Sequence, residues 1–558
     1  MSTSIAGSRS PAQRPNIVVF FVDDMGYGDA GCLNPQGRIP TPRIDRFASQ
    51  GMVFSDAHSS SAVCSPSRYS LLTGRYNWRS TLQAGIVLPY GDPLIAPDRT
   101  TIASLVKRAG YHTGCIGKWH LGMGWDFDVT WDFVAGRPYG PAPEPGHDLE
   151  ATTEQLRLWA DAFSRPTTGG PTTRGFDTYF GVDVPNWPPY CYIENDHTVG
   201  IPTEYLPSRH LVKNQASFCG PAMPYWHFEQ LLPAWAKKAD AYIADRATAR
   251  EPFLLYLPMT SPHTPLAVNA PWIGSSGLDN LYADLVVETD DVFGRVLDSL
   301  ERHGVADDTL VVFASDNGCA HYIGAHELEA QGHYPSGGLR GYKSDAWDGG
   351  HRIPLIVRWP GTIPAGSRTN ELVCLTDLAA TIADYLALPL SDEEAEDSFS
   401  LRRVFERHAV DLPGSEPSGA HPGAAGATGT DAGSGGAADA PVRGDVIHHS
   451  ISGKFAIRDR RWKLILCPGS GGWTLNDAQA AERGLPLVQL YDMVEDPGET
   501  RNLSDTHPDR VRTMVASLKA HVARGRTTPG APQTNDAEVD IWKLGTMPSV
   551  SPAAIDDY

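Results

Sequence analysis

The 558-residue sequence has only eight cysteines, and none of them forms a CxxC pair. Zinc ribbons and thioredoxin-like redox sites are therefore unsupported, and the cysteines are too dilute for a disulfide framework. The N-terminal stretch MSTSIAGSRSPAQRP has no apolar core and does not read as a secretory signal. No apolar run approaches the ~20 residues that span a bilayer. We therefore expect a cytoplasmic protein with reduced thiols and no membrane partner.

Positive charge is also scarce. Lys and Arg number 46 against 66 Asp and Glu, which gives a net charge of −20. Because an acidic surface repels phosphates, nucleic acid is excluded as the main partner. A small anionic ligand is not excluded, since it responds only to the local field of its pocket. The length suggests two or three domains at the usual ~100–200 residues each, and it leaves the oligomeric state open.

Continuous apolar runs alternate with helical patterns along most of the chain. The run NIVVFFV (16–22) is typical of a strand that is buried on both faces. Similar strand-like runs and helix-like segments follow it, the strands at 112–117, 252–259, 309–315 and 353–359 and the helices at 100–110 and 279–304. This alternation predicts an α/β fold with a large, mostly parallel sheet sandwiched by helices.

The composition changes near residue 390. A Gly/Ala-rich stretch then interrupts the chain and cannot build a core, while 454–467 reads as a hairpin and 509–525 as a helix. We predict a small C-terminal α+β subdomain with an antiparallel sheet. The predicted organisation is a disordered tail over 1–14, the α/β domain over 15–390, the subdomain over 391–525 with a flexible insertion at 411–443, and a tail over 526–558.

Polar clusters follow four of the predicted strands. The clusters are Asp23 with Asp24, Lys118 with His120, His263 alone, and Asp316 with Asn317. Ligands in open parallel sheets bind outside the carboxyl ends of the strands, so one geometric rule places these side chains on the same rim.

The acidic members of this rim predict a metal site. Asp23, Asp24 and Asp316 would repel one another at contact distance, and a hard divalent cation relieves that conflict. An all-oxygen set with the Asn317 carbonyl suits Ca²⁺ or Mg²⁺ rather than zinc. The alternative is that Asp23–Asp24 caps a helix and that SDNG forms a turn.

Lysines, histidines and an arginine add hydrogen-bond donors to the same rim. With a metal, Lys118, His120, His263 and Arg68 would suit a tetrahedral oxyanion. Any one histidine taken alone is more typical of a structural residue.

Cys64 presents a puzzle. Pro66 predicts a helix that begins within a residue or two of Cys64, and a helix N-terminus lowers a thiol pKa. Arg68 would reinforce this effect. A thiolate nucleophile stays open, yet a thiolate beside a hard metal and an incoming dianion is a poor electrostatic match. The site suits oxygen chemistry, but the nucleophile position carries sulfur.

The stretch CSPSRYSLLTGR (64–75) resembles the signature C-x-P-S-R-x-x-x-L-T-G-R of the formylglycine-dependent sulfatases in the alkaline phosphatase superfamily. The resemblance spans about residues 15–525. Further family segments match at PNIVVFFVDDMGYGD, GKWHLG, SPHTP, SDNG, GYKSDAWDGGHRIPLIVRWPG (341–361) and LYDMVEDPGETRNL (490–503).

The resemblance implies that a formylglycine-generating maturation enzyme oxidises Cys64 and that the hydrated aldehyde is the nucleophile. It implies that Ca²⁺, or Mg²⁺, is held by Asp23, Asp24, Asp316, Asn317 and the residue at 64. It further implies sulfate contacts from Lys118, Lys343 and His263, a supporting role for Arg68, His263 as the acid and His120 as the base.

The expected reaction is hydrolysis of a sulfate ester on a sugar, of the 6-O-sulfated galactose or N-acetylgalactosamine type. Aromatic loops at 183–196 and 223–230 suit stacking on a sugar or an aryl ring, or they simply pack long loops onto the body. The stretch at 321–333 lines a substrate entrance or is a surface loop. The alternatives are a phosphodiesterase or phosphonate monoester hydrolase with the same nucleophile, and a non-catalytic glycan-binding relative.

Overall fold

The computed structural model describes residues 14–126, 147–210, 218–407 and 441–546. The predicted tail at 1–14, apart from Arg14, and most of the predicted insertion at 411–443 lie outside these residues. The strands are β1 Asn16–Asp23, β2 Met52–Phe54, β3 Ala57–His58, β4 His112–Lys118, β5 Thr178–Val182, β6 Ile193–Glu194, β7 His197–Thr198, β8 Glu204–Tyr205, β9 Pro221–Ala222, β10 Phe253–Pro262, β11 Thr309–Ser315, β12 Leu355–Arg358, β13 Ser367–Thr369, β14 Val373–Cys374, β15 Val446–His449, β16 Phe455–Arg458, β17 Trp462–Ile465 and β18 Gln489–Asp492. The helices are α1 Pro42–Ser49, α2 Cys64–Thr73, α3 Ile102–Lys107, α4 Thr153–Ser164, α5 Leu231–Ala249, α6 Leu281–Arg302, α7 Ala325–Ala330, α8 Asp348–His351, α9 Asp377–Tyr385, α10 Arg402–Phe405, α11 Asp477–Glu482 and α12 Pro508–Arg524.

Within the described residues, ten strands form one large sheet in the order β13-β2-β12-β11-β1-β10-β4-β5-β6-β7. Its centre is parallel, because β11, β1, β10, β4 and β5 all run in the same direction. The pairs β11–β12, β12–β2, β5–β6 and β6–β7 are antiparallel. The prediction of a large sheet is therefore confirmed, and the sheet is mixed with a parallel core.

The central strand β1 is buried on both faces, as its continuous apolar run predicts. Val18, Phe20 and Val22 pack in one core with helices α1, α5 and α6. The alternate residues Ile17 and Val19 pack on the opposite face, in the core that includes α2, α3 and α9. Two helical layers therefore enclose the sheet.

The short helix α10, which follows the predicted boundary at residue 390, packs on the large domain. Val404 and Phe405 of α10 are buried and pack in the core cluster on the α2 side of the large sheet. Residues 441–443, which the predicted insertion includes, lie partly in the core, because the Arg443 guanidinium is buried and pairs with Asp377 at 2.8 Å.

Strands β15, β16, β17 and β18 form a separate four-stranded antiparallel sheet, which confirms the predicted C-terminal sheet. Strands β16 and β17 are the predicted hairpin, and α12 is the predicted final helix. The segment after α12 does not leave the body as a separate tail up to residue 546. Ile541 and Trp542 are buried in the cluster that includes α12 and this sheet.

Among the helices of the described residues, none combines the length and the apolar character that crossing a membrane requires.

Candidate active site

The carboxyl ends of four parallel central strands carry the polar residues that the sequence places together. Asp23 ends β1 and Asp24 follows it, Lys118 ends β4, and His263 follows β10. Asp316 and Asn317 follow β11. All of these side chains are at least nine-tenths buried. The strand-end rule therefore locates them correctly at one edge of the sheet.

Asp24 adopts a left-handed backbone conformation, with φ of 66°. Adjacent side chains of a strand point to opposite faces, and the left-handed residue breaks that alternation. The Asp24 carboxylate contacts Asn317 Nδ2 at 2.7 Å and Lys343 Nζ at 2.7 Å. The Asp23 carboxylate reaches Lys118 Nζ at 2.7 Å. Consecutive aspartates thus serve the same cluster.

The loop after β11 is held by close backbone packing at Gly318. Its N–H donates to the Gly350 carbonyl at 2.9 Å, and a Cβ at this position would lie 1.9 Å from the Gly349 oxygen. Only glycine allows this approach. The contact fixes the direction of Asp316 and Asn317, and the Asp24 N–H donates to Asp316 Oδ1 at 3.1 Å.

Cys64 is the first residue of helix α2, as Pro66 predicts, and the helix ends at Gly74 in the left-handed conformation. All ten residues of this helix are buried, and Cys64 is 2% exposed. The Cys64 sulfur and carboxylate oxygens of Asp23 and Asp316 lie within 4.8 Å of one another. The nucleophile position therefore adjoins the acidic residues.

The pKa of the Cys64 thiol is raised, whereas the sequence predicts that it is lowered. Burial raises this pKa, and the nearby ammonium groups of Lys118 and Lys343 only partly offset the effect. The helix N-terminus and Arg68 do not reverse it, because desolvation of a charged sulfur dominates in a buried site. An unmodified thiolate is therefore disfavoured at this position.

Cationic side chains surround the acidic residues. The Arg68 guanidinium donates to Asp316 Oδ2 at 2.8 Å and lies 3.5 Å from Asp23 Oδ1. Lys343 reaches the cluster from the loop before α8, which is held by its own N–H on the Cys319 carbonyl at 2.8 Å. The sequence predicts Arg68, Lys118 and Lys343 near the site, but it does not predict which aspartate each of them pairs with.

The two histidines face the site in different ways. His263 Nε2 lies 3.7 Å from Asp24 Oδ2, and its Nδ1 contacts the Thr264 carbonyl oxygen. Burial and the Lys343 charge lower the pKa of His263 to about 4. His120 Nε2 contacts the Val87 carbonyl at 3.1 Å, and its Nδ1 has no hydrogen-bond partner. Burial and Lys118 lower the pKa of His120 as well.

The pKa values of Asp23 and Asp316 are shifted in opposite directions. Burial opposes ionisation of Asp23, but Lys118 and the other nearby cations hold its pKa well below the ordinary value. Burial and the charge of Asp23 raise the pKa of Asp316 instead. Asp23 Oδ1 and Asn317 Oδ1 are buried without hydrogen-bond partners. Oxygen atoms without partners beside carboxylates that repel one another suit a hard divalent cation, so the residues present fit the predicted ion.

Aromatic residues also lie at the site: Trp187 and Tyr322 belong to segments that the sequence singles out, whereas Trp473 does not. The Trp473 ring contacts Tyr322 at 5.9 Å between centroids, and the backbone N–H of Trp473 donates to Ser344 Oγ at 2.9 Å. On the other side, Trp187 meets the His120 ring edge-on at 5.6 Å. Trp473 belongs to the C-terminal part of the chain, from which the sequence predicts little chemistry; the glycine-rich run GSGGW is the only local signal of a loop that approaches the site.

The sequence around this arrangement matches a known protein family. The family model for sulfatases matches residues 15–388 of the chain. The chain belongs to the sulfatase family. It is therefore a sulfuric ester hydrolase, and its fold and enzyme class agree with the resemblance drawn from the 64–75 signature.

This sulfatase is similar to known proteins over most of its length. An N-acetylgalactosamine-6-O-sulfatase of Bacteroides thetaiotaomicron is 28% identical, covering 91% of this chain and 93% of that protein. Arylsulfatase G of Rattus norvegicus is 30% identical over 72% of this chain and 70% of that protein. A solved structure described within glycosaminoglycan metabolism by Bacteroides thetaiotaomicron has a TM-score of 0.71 at 27% identity, and covers 91% of this chain and 99% of its own.

Proposed function

We propose that this sulfatase hydrolyses 6-O-sulfate esters on galactose or N-acetylgalactosamine residues of a carbohydrate and releases inorganic sulfate. Two relatives support the substrate class by name, the Bacteroides thetaiotaomicron protein and an N-acetylgalactosamine-6-sulfatase of Rattus norvegicus that is 28% identical over 94% of this chain.

The observation that carries the proposal is the composition of the buried cluster. The Cys64 sulfur lies within 4.8 Å of carboxylate oxygens of Asp23 and Asp316. Lys118 donates to Asp23, and Lys343 donates to the adjacent Asp24. A glycan-binding protein would have no need for a nucleophile position buried among paired charges. The cluster suits a reaction in which negative charge moves between oxygens.

We propose that Asp23, Asp24, Asp316, Asn317 and the modified residue 64 hold Ca²⁺, or Mg²⁺ in its place. The donor set is all oxygen, and two of its atoms, Asp23 Oδ1 and Asn317 Oδ1, accept no hydrogen bond. When bound, the cation would supply positive charge for the sulfate oxygens and lower the pKa of a hydroxyl at position 64.

Formylglycine at position 64, made by a maturation enzyme, completes the proposed site. Its hydrate would supply an oxygen nucleophile with a second hydroxyl, so that sulfate can leave without a separate attacking water. The raised pKa of the Cys64 thiol supports this modification, because the unmodified sulfur is a poor nucleophile where it lies.

The chain's own cations bind and orient the sulfate group in this proposal. Lys118 and Lys343 each hold a carboxylate at 2.7 Å, so both ammonium groups point into the cluster. When the ester binds, they can share their N–H donors with its oxygens. Arg68 stays on Asp316 and holds that carboxylate in place.

The histidines move the protons. Contact with Val87 leaves the proton on His120 Nε2, so the free Nδ1 of a neutral ring can accept a proton from residue 64. His263 Nε2 faces the site and would protonate the leaving sugar oxygen. The negative ester offsets Lys343, which raises the pKa of His263 and allows the ring to carry this proton.

Aromatic rings on both sides of the site suit a sugar. Trp473 is 42% exposed and contacts Tyr322, which in turn adjoins Lys343. An exposed indole beside a polar site offers a flat face for the apolar side of a pyranose ring. These rings support a carbohydrate rather than a small alkyl sulfate.

The test measures sulfate release from N-acetylgalactosamine 6-sulfate, its 4-sulfated isomer, and matched phosphate mono- and diesters. We expect turnover of the 6-sulfate, and expect it to be lost in Cys64→Ala but kept in the control Cys374→Ala, which alters a buried cysteine of β14 outside the site. Preference for the phosphodiester would instead support a phosphonate or phosphodiester hydrolase. Binding without any turnover by matured protein would support the glycan-binding alternative.

A further inference from the structure

Three histidines outside the active site meet where the large domain contacts the C-terminal sheet. His58 ends β3, His351 ends α8, and His448 lies in β15. All three side chains are completely buried. One ring nitrogen of each lies within 4.8 Å of the corresponding nitrogens of the other two.

The inner nitrogens have the spacing of metal ligands. His58 Nδ1 lies 3.0 Å from His351 Nδ1. The rings of His351 and His448 are stacked, with centroids 3.8 Å and planes 12° apart, so one of these rings would turn to direct its lone pair at a shared ion. Two nitrogens bound to one tetrahedral zinc ion at its usual bond length are separated by about 3.3 Å. His448 Nε2 is buried and has no hydrogen-bond partner. This lone pair faces a cluster that otherwise does not use it.

The outer nitrogens are each placed against an acceptor. His58 Nε2 lies 2.8 Å from Asp56 Oδ1, His448 Nδ1 lies 3.0 Å from the Ser59 carbonyl, and His351 Nε2 lies 3.2 Å from the Ala346 carbonyl. An imidazole that donates its outer N–H directs the lone pair of its other nitrogen inwards. Metal-binding histidines carry this same outer contact to a carboxylate or backbone carbonyl.

The surroundings allow a dication. Burial lowers the pKa of His58 to about 4 and also lowers the pKa values of His351 and His448, so all three rings are neutral at pH 7 and able to bind metal. Charged groups surround the cluster, with Arg352, Arg458 and Lys463 paired to Asp56, Asp348 and Glu499. Burial raises the pKa of Glu499 to about 7.

We propose that His58, His351 and His448 bind a structural zinc ion that joins the C-terminal sheet to the strand leading into the Cys64 loop. Imidazole nitrogens select zinc over the hard cations that suit the active site. The metal would reinforce backbone contacts that already join these parts, since Ser59 N–H donates to the His351 carbonyl at 2.9 Å and Ala62 N–H to the His449 carbonyl at 3.0 Å.

A metal-free arrangement of the same residues makes a different prediction. Lys463 Nζ lies 3.0 Å from His351 Nε2, and Arg458 Nη1 lies 3.2 Å from His58 Nε2. If Lys463 donates to His351, then His351 Nδ1–H donates to His58 and only His448 Nε2 stays without a partner. Such a network would bind no zinc.

The experiment measures zinc and calcium by mass spectrometry in full-length protein that has been loaded with zinc and then desalted. We expect about one zinc ion per chain in the wild type, loss of that zinc in His448→Asn, and its retention in the control His449→Asn. His449 is the next residue of the same strand, is equally buried, and contacts Asn77 instead of the cluster. Retention of zinc in Asp24→Asn separates this site from the active site.

A second variant and a spectrum keep the test decisive if His448→Asn does not fold. Asp56→Asn removes the charge of the group that His58 contacts, and this charge also pairs with Arg352 and Arg458. The variant should weaken zinc binding about tenfold or more in competition with a coloured chelator. Wild-type protein loaded with Co²⁺ should show intense visible bands of a tetrahedral site. Wild-type protein without zinc or these bands, or equal zinc in wild type and His448→Asn, overturns the proposal.

Discussion

Cys64 makes the sharpest prediction at the scale of single residues. In Cys64→Ser the position keeps one oxygen but cannot become an aldehyde hydrate. We expect calcium binding to remain and sulfate release to fall about a thousandfold or more, as when other nucleophiles are removed. Steady-state sulfate release, with calcium binding measured by calorimetry, checks this. Wild-type turnover by the serine variant would contradict the role assigned to position 64.

Asp316 predicts how the cation stabilises the protein. Asp316→Asn removes the carboxylate whose pKa is raised by burial and by Asp23, yet it keeps an acceptor for Arg68. Calcium at a hundred times its dissociation constant should stabilise the wild type by about 2.7 kcal/mol. The variant should lose most of this gain. Thermal unfolding with and without calcium measures the difference.

Equal calcium stabilisation of wild type and Asp316→Asn would remove Asp316 from the ligand set. The control is Asp290→Asn in α6, a buried carboxylate bonded to the backbone N–H of Ile44 outside the site. This variant is expected to respond to calcium like the wild type, whatever its own stability.

The sequence could predict the members of the site, because strand ends and a long signature both point to them. It could not predict the electrostatics. The pKa of Cys64 depends on how completely the helix is buried, and burial is a property of the assembled domain. Trp473 was missed for a related reason, since its approach to Tyr322 depends on how the C-terminal sheet packs.

At the scale of elements, the loop after β11 depends on Gly318. A methyl group there would overlap the Gly349 oxygen, so Gly318→Ala must displace the loop that carries Asp316 and Asn317. We expect destabilisation of about 1–3 kcal/mol and weaker calcium binding. Denaturant unfolding and calcium titration measure the two effects. Gly444→Ala is the control, because a Cβ there meets nothing within 4 Å, and equal behaviour of the two variants would argue against the tight contact.

Glu394 links the segment after α9 to the region of α3, and its contribution should depend on pH. Burial opposes its ionisation, but hydrogen bonds from Arg108, the Ser391 N–H and Thr100 lower the pKa of Glu394 from 4.5 to about 2. A lowered pKa contributes stability above pH 4.5 that is lost as the pH falls towards 2. Glu394→Gln should therefore be less stable than wild type near pH 6.

The stability difference between wild type and Glu394→Gln should shrink as the pH falls from about 4.5 to about 2. Urea unfolding of both proteins across this range measures this stability difference. The pH effects of the other carboxylates are common to both proteins and cancel in the difference. A gap that stays constant with pH would mean that the Glu394 charge does not contribute.

At the same scale, apolar runs predicted which segments form strands, but they did not always predict the direction in which a strand runs. The run at 353–359 resembles its parallel neighbours because it is buried in the same way, yet β12 pairs antiparallel with β11. Burial on both faces determines the composition of a strand, and the direction depends on the connection before it. The packing of Val404 and Phe405 on the large domain could not be predicted, because a short helix leaves only a weak pattern.

At the scale of the whole molecule, the segment after α12 closes the structure over the large domain. Asp536 pairs with Arg75 at 3.0 Å, and Asn535 accepts from Arg79 at 3.0 Å. A chain that ends at Gly525 also exposes the partners of Ile541 and Trp542, each worth about 1.5–3 kcal/mol when buried. We expect a clearly lower Tm by calorimetry.

The control for this truncation is a chain that ends at Thr546, which keeps all of these contacts and should unfold at a higher temperature than the chain that ends at Gly525. An unchanged Tm in the shorter chain would mean that residues 526–546 add nothing to the stability of the body.

Some side-chain clusters form only in the complete fold, from residues that are far apart in the sequence. His58, His351 and His448 have no common spacing, so only the packing of three separate elements could bring them together. The aspartates of the site, in contrast, sit beside strands whose pattern predicts one shared edge. Cytoplasmic location and the maturation enzyme stay predictions.

The complete burial of α2 sets the order of events in the life of the chain. Cys64 is 2% exposed, and every residue of the helix around it is packed against the body. A modifying enzyme cannot bind the CSPSR segment once the domain has folded, because the segment is then buried. The oxidation would therefore have to happen while the polypeptide is still unfolded, and refolded protein that was never modified should stay inactive however long it meets that enzyme.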